Sequence, residues 1–152
     1  MAHKSVSRGC PQGSACGPGF WNILYDGVLK LDLPVDCELV AFADDLILLS
    51  WGRDLELLQA KVNSAIALVA RWGRLVKLEF NEAKTKVMTF TKSRTVPAIN
   101  VTMNGVSLEM VDEIKYLGVV INRKLKWQSH FRHLQMKANK LMSKMAAVAQ
   151  NT

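Results

Sequence analysis

Asp44 and Asp45 stand side by side inside an otherwise apolar run, with Leu39 to Ala43 before them and Leu46 to Leu49 after. Such runs suit β-strands covered on both faces, which lose the polar alternation of a half-exposed strand. Two carboxylates at the junction of two buried strands cost several kcal/mol if they are left desolvated and unpaired. A divalent cation would compensate them: Mg²⁺ is hard, takes carboxylate oxygen and is held by few protein ligands. The alternative is a hairpin whose Asp-Asp turn faces solvent, since acidic turns are common. The pair alone leaves both readings open.

The elements that would position this pair can be read on either side. Residues 9–19 form a Gly/Pro/Ser-rich loop leading into an apolar segment, Phe20 to Leu33, read as a helix that ends before Pro34. The acidic hairpin is expected at about 38–51. Asp54 is a plausible N-cap, and Leu55, Leu58, Val62, Ile66, Val69 and Trp72 recur at helical spacing, with Gly73 as terminator. A turn at Asn81 to Lys84 leads to a strand at about 86–90. Asn104-Gly105 between alternating runs predicts a hairpin. Tyr116 to Ile121 reads as a strand. Beyond Trp127, Phe131, Leu134, Ala138, Leu141, Met145 and Val148 predict a helix with lysines on its other faces. The class is α+β.

Composition narrows the partners. The chain has 152 residues, so one domain or part of one is expected. A hydrophobic content of 49% excludes a disordered chain. The net charge of +7 favours polyanions. From Asn122 onward there are seven Lys or Arg and no Asp or Glu, with Trp127 and Phe131 among them. Three cysteines without Cys-x₂-Cys spacing suggest neither zinc nor a disulfide scaffold, and a reduced intracellular compartment is expected. Met1 to Arg8 lacks the apolar core of a signal peptide, and no apolar run is long enough for a membrane span, so no membrane partner is expected.

The loop Gly9-Cys10-Pro11-Gln12-Gly13-Ser14-Ala15-Cys16-Gly17-Pro18, then Phe20-Trp21-Asn22-Ile23-Leu24-Tyr25, then Phe42-Ala43-Asp44-Asp45, resembles the reverse transcriptase of non-LTR (LINE-like) retrotransposons, most closely arthropod elements that insert into ribosomal RNA genes. Leu78-Glu79-Phe80-Asn81-Glu82-Ala83-Lys84-Thr85, Lys115-Tyr116-Leu117-Gly118-Val119 and Leu125-Lys126-Trp127 with His130 continue the series in the family's order. The resemblance implies the C-terminal half of a polymerase palm over residues 9–121 and the start of a helical thumb over 122–152, behind a truncated leader, 1–8. It implies RNA-directed DNA synthesis from deoxynucleoside triphosphates on an RNA template and a DNA primer, with Mg²⁺ or Mn²⁺.

The same resemblance assigns roles. Asp44 becomes a direct metal ligand, and Asp45 supports the turn or a second ion. Gln12, Gly13 and Ser14 lie against the templating base and incoming nucleotide; the plainer reading is a turn and helix cap. Lys84 neutralises the leaving pyrophosphate, or is simply a solvated turn lysine beside Lys86. Tyr116, Leu117 and Gly118 resemble the hairpin that grips the primer terminus, and an ordinary core strand remains the alternative. The family carries another catalytic aspartate upstream of the Gly-Cys-Pro-Gln loop, where this chain has eight residues and no acid. The fingers, the first palm strand and that acid are therefore expected elsewhere in a parent polyprotein, leaving this chain inactive alone. The resemblance implies a nuclear setting for the parent protein, which is not readable from this chain. The competing class is a non-catalytic basic RNA-binding relic, and a group II intron or retron enzyme is a second alternative.

Overall fold

Pro18 lies in the first turn of α1 (Gly17–Leu29), where no helical N–H is required and a fixed φ is an advantage. The helix starts three residues before the expected Phe20. It also stops four residues before Leu33: Lys30 caps the helix, and the Leu31 N–H turns to the Val28 carbonyl at 3.3 Å, well before the restriction that Pro34 places on Leu33. The computed structural model describes residues 13–93 and 95–149. They form two units, residues 13–80 with Val101–Val106, and residues 81–93 and 95–100 with residues 107–149.

In the first unit, β1 (Cys37–Phe42) and β2 (Asp45–Ser50) pair antiparallel, from Cys37 opposite Ser50 to Phe42 opposite Asp45. α2 (Leu55–Val76) begins as its sequence predicts, Asp54 Oδ1 accepting from the Leu57 N–H at 3.0 Å. Its end does not follow the prediction. Gly73 is inside the helix, and Lys77 takes the left-handed terminating position at φ 60°. A Cβ on Gly73 would lie 2.9 Å from both the Leu78 carbonyl and the Phe80 ring, so this glycine serves close packing rather than termination. Tyr25, Val28, Val69 and Trp72 form the buried core, with Leu39, Ala41 and Leu46 of the hairpin against it.

The hairpin is not covered on both faces as its apolar runs suggested. Leu39 and Ala41 turn toward the core, while Val40 and Phe42 are exposed on the other face, Phe42 to 62%. The alternation of a half-covered strand is present, and its outer face is simply apolar.

Asn104 and Gly105 take φ of 50° and 81° between β4 (Thr102–Met103) and β5 (Val106–Ser107), the predicted two-residue turn. In the second unit, the strand expected at 86–90 is only β3 (Lys86–Val87), paired in parallel with β6 (Glu109–Met110), because the partner segment offers just two residues in register. The single strand expected from Tyr116 to Ile121 is a hairpin. β7 (Glu113–Tyr116) and β8 (Val119–Asn122) flank Leu117-Gly118, whose φ values of 47° and 83° make the turn.

Asn122 then organises the approach to α3 (Gln128–Ala149): its Oδ1 accepts from the Lys124 and Lys126 N–H groups, and its Nδ2 donates to the Lys126 carbonyl. His130 Nδ1 accepts from the Val120 N–H at 3.3 Å, tying α3 to β8. The mixture of helices and small antiparallel strands matches the expected α+β class. Among the described residues, no helix is long and apolar enough to cross a membrane.

Candidate functional site

The register of β1 and β2 leaves Ala43-Asp44 as a two-residue turn, with Asp45 the first residue of the returning strand. Ala43 has a φ of 52°, a left-handed conformation that costs a residue with a side chain about 1–3 kcal/mol. Two aromatic side chains of α1 meet that turn. The Trp21 indole N–H donates to the Ala43 carbonyl at 2.7 Å, and the Tyr25 hydroxyl donates to the Asp44 carbonyl at 3.3 Å. One helical turn apart, the two rings stack with centroids 4.8 Å apart, and Tyr25 meets the Trp72 ring edge-on at 5.9 Å.

Both carboxylates are exposed at this tip, and no ion pair engages either among the described residues. Tyr25 senses them. Burial pushes its phenol above the usual range, and the negative charges of Asp44 and Asp45 push it further, since a phenolate is disfavoured beside like charge. A cavity of about 180 Å³ opens beside the turn, lined by Asn22, Tyr25, Asp26, Leu29, Ala41 and Ala43.

Two adjacent exposed carboxylates are suitable donors for a hydrated divalent cation, which prefers hard oxygen and keeps several of its waters. No group of three or more His, Cys, Asp or Glu able to hold a metal occurs among the described residues. The pair therefore fits such a cation as a partial site.

The other predicted residues are distributed over both units. Gly13 is exposed with φ 85°, and Ser14 Oγ accepts from the Gly17 N–H at 3.0 Å, a local turn bond ahead of α1, whose N-cap Cys16 makes no side-chain cap. Gln12 lies outside the described residues. Lys84 sits in a turn of the second unit, its N–H donating to Asn81 Oδ1 at 3.1 Å. Its neighbour Lys86 is committed to Glu109 and to the Ala83 carbonyl, whereas Lys84 is exposed and in no ion pair among the described residues. Tyr116, Leu117 and Gly118 form the β7–β8 turn of that same unit.

Asp44 and Asp45 thus share the first unit with Gly13 and Ser14. Trp21 and Tyr25 were not singled out from sequence. Their four-residue spacing, which puts both on one helix face ahead of the acidic turn, was the available signal.

A family profile described as reverse transcriptase (RNA-dependent DNA polymerase) matches residues 2–121, a stretch holding the acidic turn, the Gly-rich loop and the Tyr116-Leu117-Gly118 turn. The chain belongs to the reverse transcriptase family. It is 34% identical over 143 residues to a 115 kDa protein in type-1 retrotransposable element R1DM of Drosophila melanogaster, covering 94% of this chain and 14% of that protein. It is 28% identical over 140 residues to a retrovirus-related Pol polyprotein from type-1 retrotransposable element R1 of Bradysia coprophila, covering 90% and 14%. It is 24% identical over 149 residues to an RNA-directed DNA polymerase from mobile element jockey of Drosophila melanogaster, covering 94% and 16%. No solved structure matches the chain. The resemblance to non-LTR retrotransposon reverse transcriptases is therefore borne out, and the chain spans about a seventh of the length of these relatives. Reverse transcriptases as a family act on nucleic acid and nucleotides and generally use divalent metals.

Proposed function

We propose that this chain is the part of a retrotransposon RNA-directed DNA polymerase that carries the later palm segments and the start of the thumb. The observation that carries the reading is the Asp44-Asp45 pair, exposed at the tip of a tight hairpin within the stretch matched to reverse transcriptases. The substrates would be an RNA template, a DNA primer and deoxynucleoside triphosphates. Asp44 and Asp45 would hold Mg²⁺, or Mn²⁺, which when bound activates the primer 3′-oxygen and offsets the triphosphate charge.

The chain's own residues supply position and charge. Asp44 presents a carboxylate to the metal, and Asp45, next along the chain, supports the turn or serves the second ion. Lys84, exposed and outside any ion pair among the described residues, would offset charge on the leaving pyrophosphate as a point donor. Gly13, without a Cβ and with open space around it, permits close backbone approach, and Gln12, Gly13 and Ser14 would lie against the templating base and incoming nucleotide. The Tyr116-Leu117-Gly118 turn would meet the primer end. A further carboxylate beside this pair would complete the site.

The test is primer extension by the polymerase carrying this stretch. Asp44→Asn is expected to lower extension at least about a hundredfold, since such positioned charge provides a large share of phosphoryl-transfer rate. Unchanged extension would remove Asp44 from the site and favour a basic nucleic-acid-binding module.

A further inference from the structure

Asp44 Cα joins two successive peptide planes, and each plane's carbonyl is held from outside the hairpin. The Ala43 carbonyl accepts the Trp21 indole N–H at 2.7 Å, and the Asp44 carbonyl accepts the Tyr25 hydroxyl at 3.3 Å. Holding both planes fixes φ and ψ of Asp44, and with them the direction in which its Cα–Cβ bond leaves the turn. We infer that Trp21 and Tyr25 are positioning residues that aim the Asp44 carboxylate by clamping the two carbonyls flanking its Cα. The inference rests on the proposed role of Asp44 as a metal ligand.

Three observations support the clamp over simple packing. Rings that only filled space would need no polar contact with the turn, yet both aromatic donors point at turn carbonyls 22 and 19 residues away. Ala43 is held at φ 52°, a conformation that glycine would adopt without cost and alanine does not, and the Trp21 bond to its carbonyl offsets part of that cost. The clamp is itself braced: Tyr25 is buried, stacked on Trp21 and edge-on to the buried Trp72. Asp44 is thereby referenced to the core of its unit rather than to the hairpin alone.

The test uses the 152-residue chain with Trp21→Phe and Tyr25→Phe, which remove each donor and keep a ring, and Trp21→Phe combined with Ala43→Gly. Two quantities are read: the Ala43 φ from backbone chemical shifts, and Mn²⁺ affinity from paramagnetic broadening of residues 42–47. Trp21→Phe is expected to release Ala43 from the left-handed region and weaken Mn²⁺ binding about three- to tenfold, the equilibrium value of one lost hydrogen bond. Tyr25→Phe, losing a longer bond, should weaken it less. Adding Ala43→Gly should recover most of the affinity, because glycine holds positive φ unaided; a packing defect would not be recovered. An unchanged Ala43 φ in Trp21→Phe, an unchanged affinity despite an altered φ, or a loss that glycine does not recover would each overturn the inference. If the unsubstituted chain shows no broadening at 42–47, the metal role of Asp44 fails instead. The clamp is then decided by φ alone: released in Trp21→Phe supports it, retained overturns it.

Discussion

Lys61 Nζ lies 2.7 Å from Asp36 Oδ2, linking the second turn of α2 to the residue that opens the acidic hairpin. Asp36 sits at φ 67°, and its carbonyl accepts the Trp51 N–H at 3.1 Å, closing the hairpin base. The lysine side chain is only 19% exposed, so the pair is better shielded than an ordinary surface bridge. Lys61→Met should destabilise the first unit by about 1–2 kcal/mol, measured as a lower urea midpoint. Asp36→Asn, which keeps an acceptor and tolerates left-handed backbone, should cost less. Equal losses would show that the charge of the pair, and not the acceptor geometry or the lysine stem, carries the effect.

Gly73→Ala should destabilise the same unit although alanine is the better helix former. The helical gain is about 1 kcal/mol, but the new methyl would lie 2.9 Å from the Leu78 carbonyl and the Phe80 ring. Displacing a backbone carbonyl should outweigh that gain, giving a net loss of about 1–3 kcal/mol. A rise in thermal midpoint would show that the Phe80 segment yields freely.

The second unit should lose stability in mild acid. His133 Nε2 is inaccessible and has no hydrogen-bond partner among the described residues. Its pKa is lowered, first by burial and then by the positive charges of Lys137, Lys115 and His130. The unfolded chain therefore binds a proton first as pH falls through about 6.5, and stability declines from there downward. His133→Gln should flatten that decline in unfolding measured from pH 8 to 5; an unaltered slope would assign it to other groups.

The segment from Asn122 should bind single-stranded RNA mainly through phosphate. Arg132, Lys137, Lys140 and Lys144 are exposed on α3, whereas Arg123 is paired with Asp112 at 3.0 Å and should contribute less. Each phosphate contact should add a slope of roughly −0.7 in log K against log[salt]. Replacing Lys137, Lys140 and Lys144 with Gln should therefore shallow the slope by about 2, with little change in base preference. Because His130 ties α3 to β8, substitution tests this more cleanly than truncation. An unchanged slope would make α3 a merely solvated basic helix.

Residue order alone determined the features that depend on neighbours a few positions apart. The Asp54 cap, the α2 stripe, the Asn104-Gly105 turn, the C-terminal helix and the acidic hairpin are all set by local bonding and periodicity, and they form as read. The motif series also identified the family, because the order and spacing of short motifs are properties of the residue sequence itself. Tertiary structure decided what depends on distant contacts. Gly73 looked like a stop signal, but the approach of Phe80 requires it inside the helix. The apolar hairpin runs looked doubly covered, yet hydrophobicity records what a residue tolerates and not which neighbour arrives. The Trp21 and Tyr25 donors meet carbonyls 22 and 19 residues away, a geometry no local period encodes, because it exists only once α1 packs on the hairpin.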